Sequence, residues 1–399
     1  MKIGLAINFD YPDYGGMLQA FATQRVLDKQ GIESEAICFD GLKGDINRRK
    51  WKYFLSNLND LSIVKEKARI IGKKIRQKIN KELNQKLSMR NDALEQWSKK
   101  MFKVSKAYEN WDDITNGAHG YNSVVVGSDQ LWLPSNVMAD YYTLNWVPED
   151  VNKVCYATSF GIGKIPLKYE KTYSAFLKRI NHLSAREISG QEIIKHLCNR
   201  EVPLVCDPAL LLDSEGWDEV VSNRLIKEKY IFCYFMGDNP SQREFVKRLA
   251  QKTGCKVVAL LHLDQYIAAD EEYVDYAPYD VTPADFVSLV KYADYVCTDS
   301  FHGTVFSINY SKTFFTFMRF NEKASLSTNT RITSLLSTIG LEDRLIGDAN
   351  INLEENSQLL SIQKWENIQE RVCRFRNDSL KYLLDALRER TNEQIVKCN

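Results

Sequence analysis

A histidine followed by glycine, with a carboxylate and a hydroxyl just ahead of it, lies between two apolar runs in TDSFHGTVFSINY, residues 298–310. DYVCT before it reads as a strand, and the run after it as a helix opening at about Gly303, so His302 falls at a strand-to-helix turn. Unpaired N–H groups and the dipole at a helix start favour an anion, and glycine lets a ligand approach the main chain. The same dipole lowers a histidine pKa, which suits proton exchange near neutrality. Two readings stay open from these residues: an acid/base group beside a bound anion, or a structural cap on the turn. Two other loops share this placement. One runs from Asn8 to Gly16 and leads into a helix carrying Gln19; the other, Gly127–Gln130, follows the strand SVVVG. Gly15 and Gly16 either cradle a ligand or serve backbone geometry. Ser128, Asp129 and Gln130 either meet sugar hydroxyls or, through Asp129, cap a helix.

Strands must present these loops, and the sequence supplies them in alternation with helices. KIGLAINF, the helix MLQAFATQRVLDKQ closed by Gly31, and ESEAICF open the chain as a βαβ unit. SVVVG, KVCYATSFG and HLSARE follow as strands and ISGQEIIKHLC as a helix. A second series begins at YIFCYFMG, with the helix SQREFVKRLAQKTG, the strand KVVALLH, the helix VTPADFVSLVKYA and the strand TFFTFM. Thr282 as N-cap, Pro283 at the first helical position and Asp285 in the first turn mark one helix start clearly. This alternation predicts an α/β protein of two Rossmann-like, doubly wound domains with mainly parallel sheets, residues 1–205 and 206–355, and charged C-terminal helices over 356–399. In such sheets ligands bind beyond the carboxyl ends of the strands, where all three loops fall.

Composition narrows the class. A chain of 399 residues, 44% hydrophobic, is too long for one ordinary core. Its nine cysteines are odd in number and scattered without a CxxC pair, the pattern of reduced thiols rather than a disulfide framework or zinc site. MKIGLAINF reads as a first strand rather than a signal peptide, and no apolar run approaches the roughly 18 residues of a spanning helix. The expectation is a soluble cytoplasmic protein. The net charge of +1 conceals an asymmetry: residues 48–106 hold 18 Lys/Arg against five acids, a balance of +13, and the remainder is −12. Within that basic segment Ile71, Ile75, Ile79, Leu83 and Leu87 recur every four residues among lysines 67, 73, 74, 78, 81 and 86. It reads as a basic helical insertion in the first domain. Such a helix either lies on an anionic membrane or packs its stripe on its own domain. Few aromatics and the enzyme-like setting argue against nucleic acid.

DSFHGTVFSI resembles the polysaccharide pyruvyl transferase family, and GGMLQAFA, VVVGSDQLW, SAREISG, CDPALLL and NTRITSLLSTIGLEDR resemble its segments in the same order. The resemblance runs from Lys2 to Arg344, the basic insertion excepted. It implies a glycosyltransferase-B-like architecture, two Rossmann-type domains facing a cleft. It also implies transfer of pyruvate as a ketal from phosphoenolpyruvate to a sugar, with no metal or organic cofactor. His302 then matches the catalytic histidine and Arg186 a donor-binding arginine; without the resemblance Arg186 reads as a salt-bridge partner of Glu187 or Glu192. A donor with both a phosphate and a carboxylate needs positive charge, best supplied by planar arginine forks. Better-known members carry an arginine two residues before the histidine, where this chain has Ser300. Arg331, in the polar loop STNTRIT, is the candidate to supply the missing charge, with Arg319 and Lys323 behind it.

The expected site therefore comprises His302 with Arg186, Arg331, Ser300, Gly303, Asn8, Gly15, Gly16, Gln19, Ser128, Asp129 and Gln130. The expected acceptor is a sugar of a cell-surface glycan, capsule or exopolysaccharide, or its lipid-linked precursor. The latter would place the protein peripherally at the inner face of an anionic membrane. Two alternatives keep the fold: a glycosyltransferase using a nucleotide sugar, and a catalytically silent glycan-binding protein, which Ser300 motivates. Asp207-Pro208 reads as a turn between the domains, and Trp132, Trp146 and Trp217 as core.

Overall fold

The computed structural model of the chain describes residues 1–59, 71–72, 80–262, 267, 270, 272–319, 330–362 and 365–389. The first sheet contains β1 (Lys2–Ala6), β2 (Glu33–Cys38), β3 (Val104–Ala107), β4 (Ser123–Val126) and β5 (Asn152–Cys155), ordered β3-β2-β1-β4-β5. The second contains β6 (Tyr230–Tyr234), β7 (Lys256–Ala259), β8 (Tyr295–Thr298), β9 (Thr313–Phe317) and β10 (Leu345–Ile346), ordered β10-β9-β8-β6-β7. Every pairing is parallel. The central strands β4 and β6 are buried along their whole length. Continuous apolar strands belong in a parallel sheet covered on both faces, because an exposed face would alternate with polar residues.

The winding direction reverses between β1 and β4 in the first sheet, and between β6 and β8 in the second. The chains leaving adjacent strands there go to opposite faces and open a crevice at the carboxyl edge. From β1 the chain enters helix α1 (Tyr14–Lys29), whose N-cap Asp13 accepts from the Gly16 N–H at 2.6 Å. On the second sheet, the helix at Pro283–Lys291 starts with a complete capping box between Thr282 and Asp285. The loop after β8 leads into the helix at Phe301–Asn309.

Two sequence expectations change. HLSARE forms no continuous strand; it makes isolated bridges, His182 to Val154 and Ala185 to Leu204, and bends at Arg186 and Glu187, which turn inward and are buried. The segment 48–106 is not wholly helical. It begins within helix α2 (Lys43–Leu55), includes helix α3 (Lys81–Met101), and ends in β3, which pairs with β2. Along α3 the apolar face turns inward: Leu94 and Trp97 are buried, and Trp97 meets Phe21 and Phe102 edge-on at 5.5 and 5.9 Å. Leu83 and Leu87 are half-buried and Ile71 is exposed, while Ile75 and Ile79 lie outside the described residues. Among the described residues no helix is long and apolar enough to cross a membrane.

One apolar core runs through both sheets' inner helices and on into the C-terminal helix Trp365–Arg388. That helix returns to the first domain, where Tyr382 donates to the Cys155 carbonyl at 3.2 Å and the Ala386 carbonyl accepts from Asn152 at 2.8 Å. Trp132, Trp146 and Trp217 are buried with their indole N–H groups donating to the carbonyls of Tyr142, Tyr141 and Ala209. Trp217 sits where the domains join, 5.8 Å from the Phe21 ring and 4.8 Å from Phe306. Truncating a fully buried tryptophan removes its transfer energy and leaves a cavity, so Trp217→Ala should destabilise by about 3–5 kcal/mol and Trp217→Phe by less. Urea unfolding checks this; a loss under about 1 kcal/mol would mean that the junction does not depend on the ring.

Candidate active site

Loops from both switch points meet at His302. The helix carrying it starts at Phe301, not Gly303, because Ser300 takes the N-cap position with φ −93° and ψ 134° and its hydroxyl accepts from the Gly303 N–H at 3.4 Å. His302 therefore sits in the first helical turn, 6% exposed. The N–H at Gly303, expected to meet a ligand, is satisfied internally. A Cβ at Gly303 would stand 2.5 Å from the Thr298 hydroxyl, so the glycine lets the helix lie on its own strand. Across the cleft, a Cβ at Gly15 would stand 2.1 Å from His302 Nδ1. The start of α1 is thus pressed against the imidazole, which only glycine permits.

Two arginines converge on Phe301. Arg186 is buried, its guanidinium carbon 4.6 Å from the ring centroid, and Nη1 donates to Asp207 Oδ2 at 2.6 Å and to the Ser128 hydroxyl at 3.1 Å. Its Nε lies 3.7 Å from Glu187 Oε2, and neither Nε nor Nη2 has a hydrogen-bond acceptor. Arg331 is not in a loop but near the start of the helix Thr330–Ile339, buried, 5.7 Å from the same ring, with its Nε lacking a hydrogen-bond partner among the described residues. The helix start is tied to the first domain by Ile188 N–H donating to Ser334 Oγ at 3.2 Å. Burial, and then the charge of Arg186, bring the Arg331 pKa down to about 10. Two like charges from different domains therefore share one aromatic ring and keep unused N–H donors.

The carboxylates set the protonation. Asp207 caps the turn at Pro208, accepting from the Ala209 N–H at 2.9 Å, and also accepts from the Ser128 hydroxyl at 2.9 Å. Its Oδ1 lies 3.8 Å from His302 Nε2, which has no hydrogen-bond partner. Burial lowers the His302 pKa against the opposing charges of Asp207 and Asp129, leaving a neutral imidazole at pH 7. For Asp207 burial opposes ionisation, but His302 whenever it is protonated, the Arg186 charge and the Ala209 N–H outweigh it, so its pKa falls below the ordinary value. Asp13 moves the other way, raised by burial and by Asp129. Asp299 accepts from the N–H groups of Met236 and Gly237 at 2.6 and 2.8 Å, tying the ends of β6 and β8 together, and its carbonyl accepts from Arg319 at 3.0 Å.

Of the residues expected in the site, His302, Arg186, Arg331, Ser300, Gly15 and Ser128 come together. Gln19 is buried and spent internally: Nε2 donates to the Gly16 carbonyl, and Oε1 accepts from the Ser128 N–H at 3.0 Å. It positions the loop rather than offering itself to a ligand. Asn8 packs on Gly16, with Nδ2 3.0 Å from where a Cβ would stand there. Gln130 borders Gly161 in the same way. Asp129 is half-buried in the left-handed region at φ 66°, and its charge acts on His302, Asp13, Arg186 and Arg331. Lys323 lies outside the described residues. Sequence reasoning missed Asp13 and Phe301, read Asp207 only as a turn residue, and named Glu187 only as a salt-bridge partner of Arg186, beside whose Nε it lies. Asp207 was hidden because a residue before proline explains itself as a turn, and Phe301 because nothing marks an apolar residue as a platform.

The family model described as polysaccharide pyruvyl transferase matches residues 13–319. Among curated proteins none matches. Among solved structures, the UDP-GlcNAc 2-epimerase from Methanocaldococcus jannaschii is similar at 11% identity and TM-score 0.47, over 93% of this chain and 92% of that one. The epimerase from Neisseria meningitidis bound to UDP-GlcNAc is 12% identical, with TM-score 0.40 over 94% and 100%. The glycosyltransferase SnogD from Streptomyces nogalater is 10% identical, with TM-score 0.43 over 95% of each chain. The sequence match spans more than half of the chain and includes His302, Arg186 and Asp207, and on that ground the chain belongs to the polysaccharide pyruvyl transferase family.

Proposed function

We propose that the protein transfers pyruvate from phosphoenolpyruvate to a sugar of a cell-surface glycan or its lipid-linked precursor, forming a ketal. The observation that carries this reading is the pair Arg186 and Arg331: buried on Phe301, from different domains, with N–H donors unused beside a neutral histidine. A donor with a carboxylate and a phosphate a few ångströms apart suits two guanidinium groups. The reaction needs a proton delivered to the donor methylene, a proton taken from the attacking sugar hydroxyl, departure of phosphate, and closure by a second hydroxyl. Of the two hydroxyl protons released, one ends on the new methyl group and the other on phosphate. Neutral His302 is suited to take the first proton, and Asp207, held charged, to stabilise the imidazolium that forms. Arg331 supplies the charge that Ser300 does not.

Calorimetry with phosphoenolpyruvate should show Arg186→Ala and Arg331→Ala each weakening binding by about 30-fold or more, the scale of a charge-assisted fork. His302→Asn should leave that affinity nearly intact and cut phosphate release by about 100-fold or more. Unchanged affinity in Arg331→Ala would remove it from the site, and a parent protein that binds no phosphoenolpyruvate would overturn the reading.

The buried histidine also predicts a pH dependence. Its pKa in the folded state lies below the unfolded value of about 6.5, so the unfolded chain binds more protons and stability falls as pH drops from about 6.5 through the folded pKa. Between pH 7 and 5 the parent should therefore lose more melting temperature than His302→Asn. Parallel curves would mean that the imidazole is not held neutral.

The same reading places the protein at an anionic membrane, where a lipid-linked acceptor resides. Supporting it are the +13 balance of residues 48–106 and three outward apolar residues, Trp51, Leu55 and Leu58, 53%, 58% and 49% exposed, among Arg48, Lys50 and Lys52. Each basic residue at such a surface contributes about 1 kcal/mol. In vesicle sedimentation, binding should require anionic lipid, vanish in high salt, and weaken by about tenfold or more on charge reversal at Lys73, Lys74 and Lys78. Equal binding to neutral vesicles, or none to either, would exclude this contact.

A further inference from the structure

The basic insertion sends one side chain into the junction between the domains. Arg90 of α3 is 9% exposed, and its Nη1 donates to the Leu261 carbonyl at 3.0 Å, beyond the carboxyl end of β7. Its guanidinium carbon lies 5.8 Å from the ring centroids of both Tyr14, the first residue of α1, and Tyr279 of the second domain. Nε and Nη2 are buried without an acceptor among the described residues. Those two N–H groups form one edge of the guanidinium plane, with the spacing that meets two oxygens of a carboxylate or phosphate. A purely structural arginine would use that edge, because buried donors left unpaired are costly. Two polar neighbours lie close: Lys86 Nζ, ion-paired with Glu82 at 2.5 Å, is 4.9 Å from the Tyr279 ring, and His262, one residue beyond Leu261, has a buried Nε2 without a partner among the described residues while Nδ1 faces Asp270 at 3.1 Å. Tyr14 precedes Gly15, which abuts His302.

We infer that the Nε/Nη2 edge of Arg90 binds an oxyanion carried by the sugar acceptor, a phosphoryl or carboxylate group, and thereby points the acceptor hydroxyls at His302. This rests on the pyruvyl transfer reading and deepens it, since a second anion site apart from Arg186 and Arg331 distinguishes acceptor from donor. The arginine comes from the insertion rather than from the segments that resemble the family, so it ties acceptor choice to that insertion.

The test compares the full-length parent with Arg90→Met, which keeps the packing on both tyrosines, and with Arg90→Lys, which keeps the charge without the planar edge. Calorimetric titrations use UDP-N-acetylglucosamine for a pyrophosphate-linked sugar, glucuronic acid for a carboxylate, and phosphoenolpyruvate. One anionic sugar should bind the parent and lose about tenfold or more in both variants, while phosphoenolpyruvate affinity stays within about twofold. Which sugar responds identifies the oxyanion. Equal binding by parent and variants, or no binding of either sugar to the parent, overturns the inference. A matching loss of phosphoenolpyruvate affinity assigns Arg90 to the donor instead. If the parent fails to bind phosphoenolpyruvate at all, the pyruvyl transfer reading fails first.

Discussion

The site is governed by one electrostatic constraint: two guanidinium groups, from different domains, are buried against a single phenylalanine. Burial removes the water that would solvate them, and only part of the loss is made good inside the protein. Arg186 has Asp207 and Ser128 on one nitrogen and the Glu187 carboxylate 3.7 Å from its Nε, but among the described residues its other edge and the Nε of Arg331 have no hydrogen-bond acceptor. The face of the Phe301 ring stabilises both charges weakly. An anion with two charged ends would satisfy the remaining donors, and the arrangement is complete only while the domains stay together.

Why those residues meet follows from topology. In both sheets the winding reverses beside the first strand of the domain, so each domain opens its crevice at the carboxyl edge there. The first domain presents Asp13, Gly15 and Ser128; the second presents Asp299, Ser300 and His302. Contact as close as that between Gly15 and His302 leaves no room for a side chain, which gives the GG pair at the head of α1 a packing explanation. The C-terminal helix then ties the back of the junction to the first domain through Cys155 and Asn152.

Much of this was legible in the sequence, for physical reasons that can be named. Buried parallel strands write themselves as continuous apolar runs, and Thr282-Pro283 with Asp285 wrote a helix start that the structure forms as a full capping box. His302 stood out because a polar titratable group interrupts two apolar elements. The meeting of Arg186 with Arg331 and His302 was expected; what stayed hidden was how individual polar groups are engaged. Asp207 looked like a turn residue, Gln19 looked available although both ends of its amide are engaged, and Arg331 was read as loop because the polar residues before it mask the helix that begins at Thr330. The four-residue period in the basic segment indicated a helix face, yet it could not say that the α3 portion turns inward or that its last residues become an edge strand.

The exchange at position 300 shows how one local preference reshapes the site. Serine is among the best N-cap residues, and here it completes the helix that carries His302. An arginine there would reach an anion from the same turn as the histidine but leave the cap empty. In the proposed reading Arg331 carries the charge that Ser300 does not, on a helix start tied to the first domain through Ile188 and Ser334. The cost is visible in Arg331 itself, whose pKa is held down to about 10 by burial and by Arg186. That is still far enough above neutrality to keep the group charged. A cation disfavoured by burial and favoured beside an anion would discriminate in the direction the proposed donor requires, because its interaction would improve only with a negatively charged partner. Selectivity for a charged donor over a neutral sugar would then reside in this penalty as much as in any direct contact.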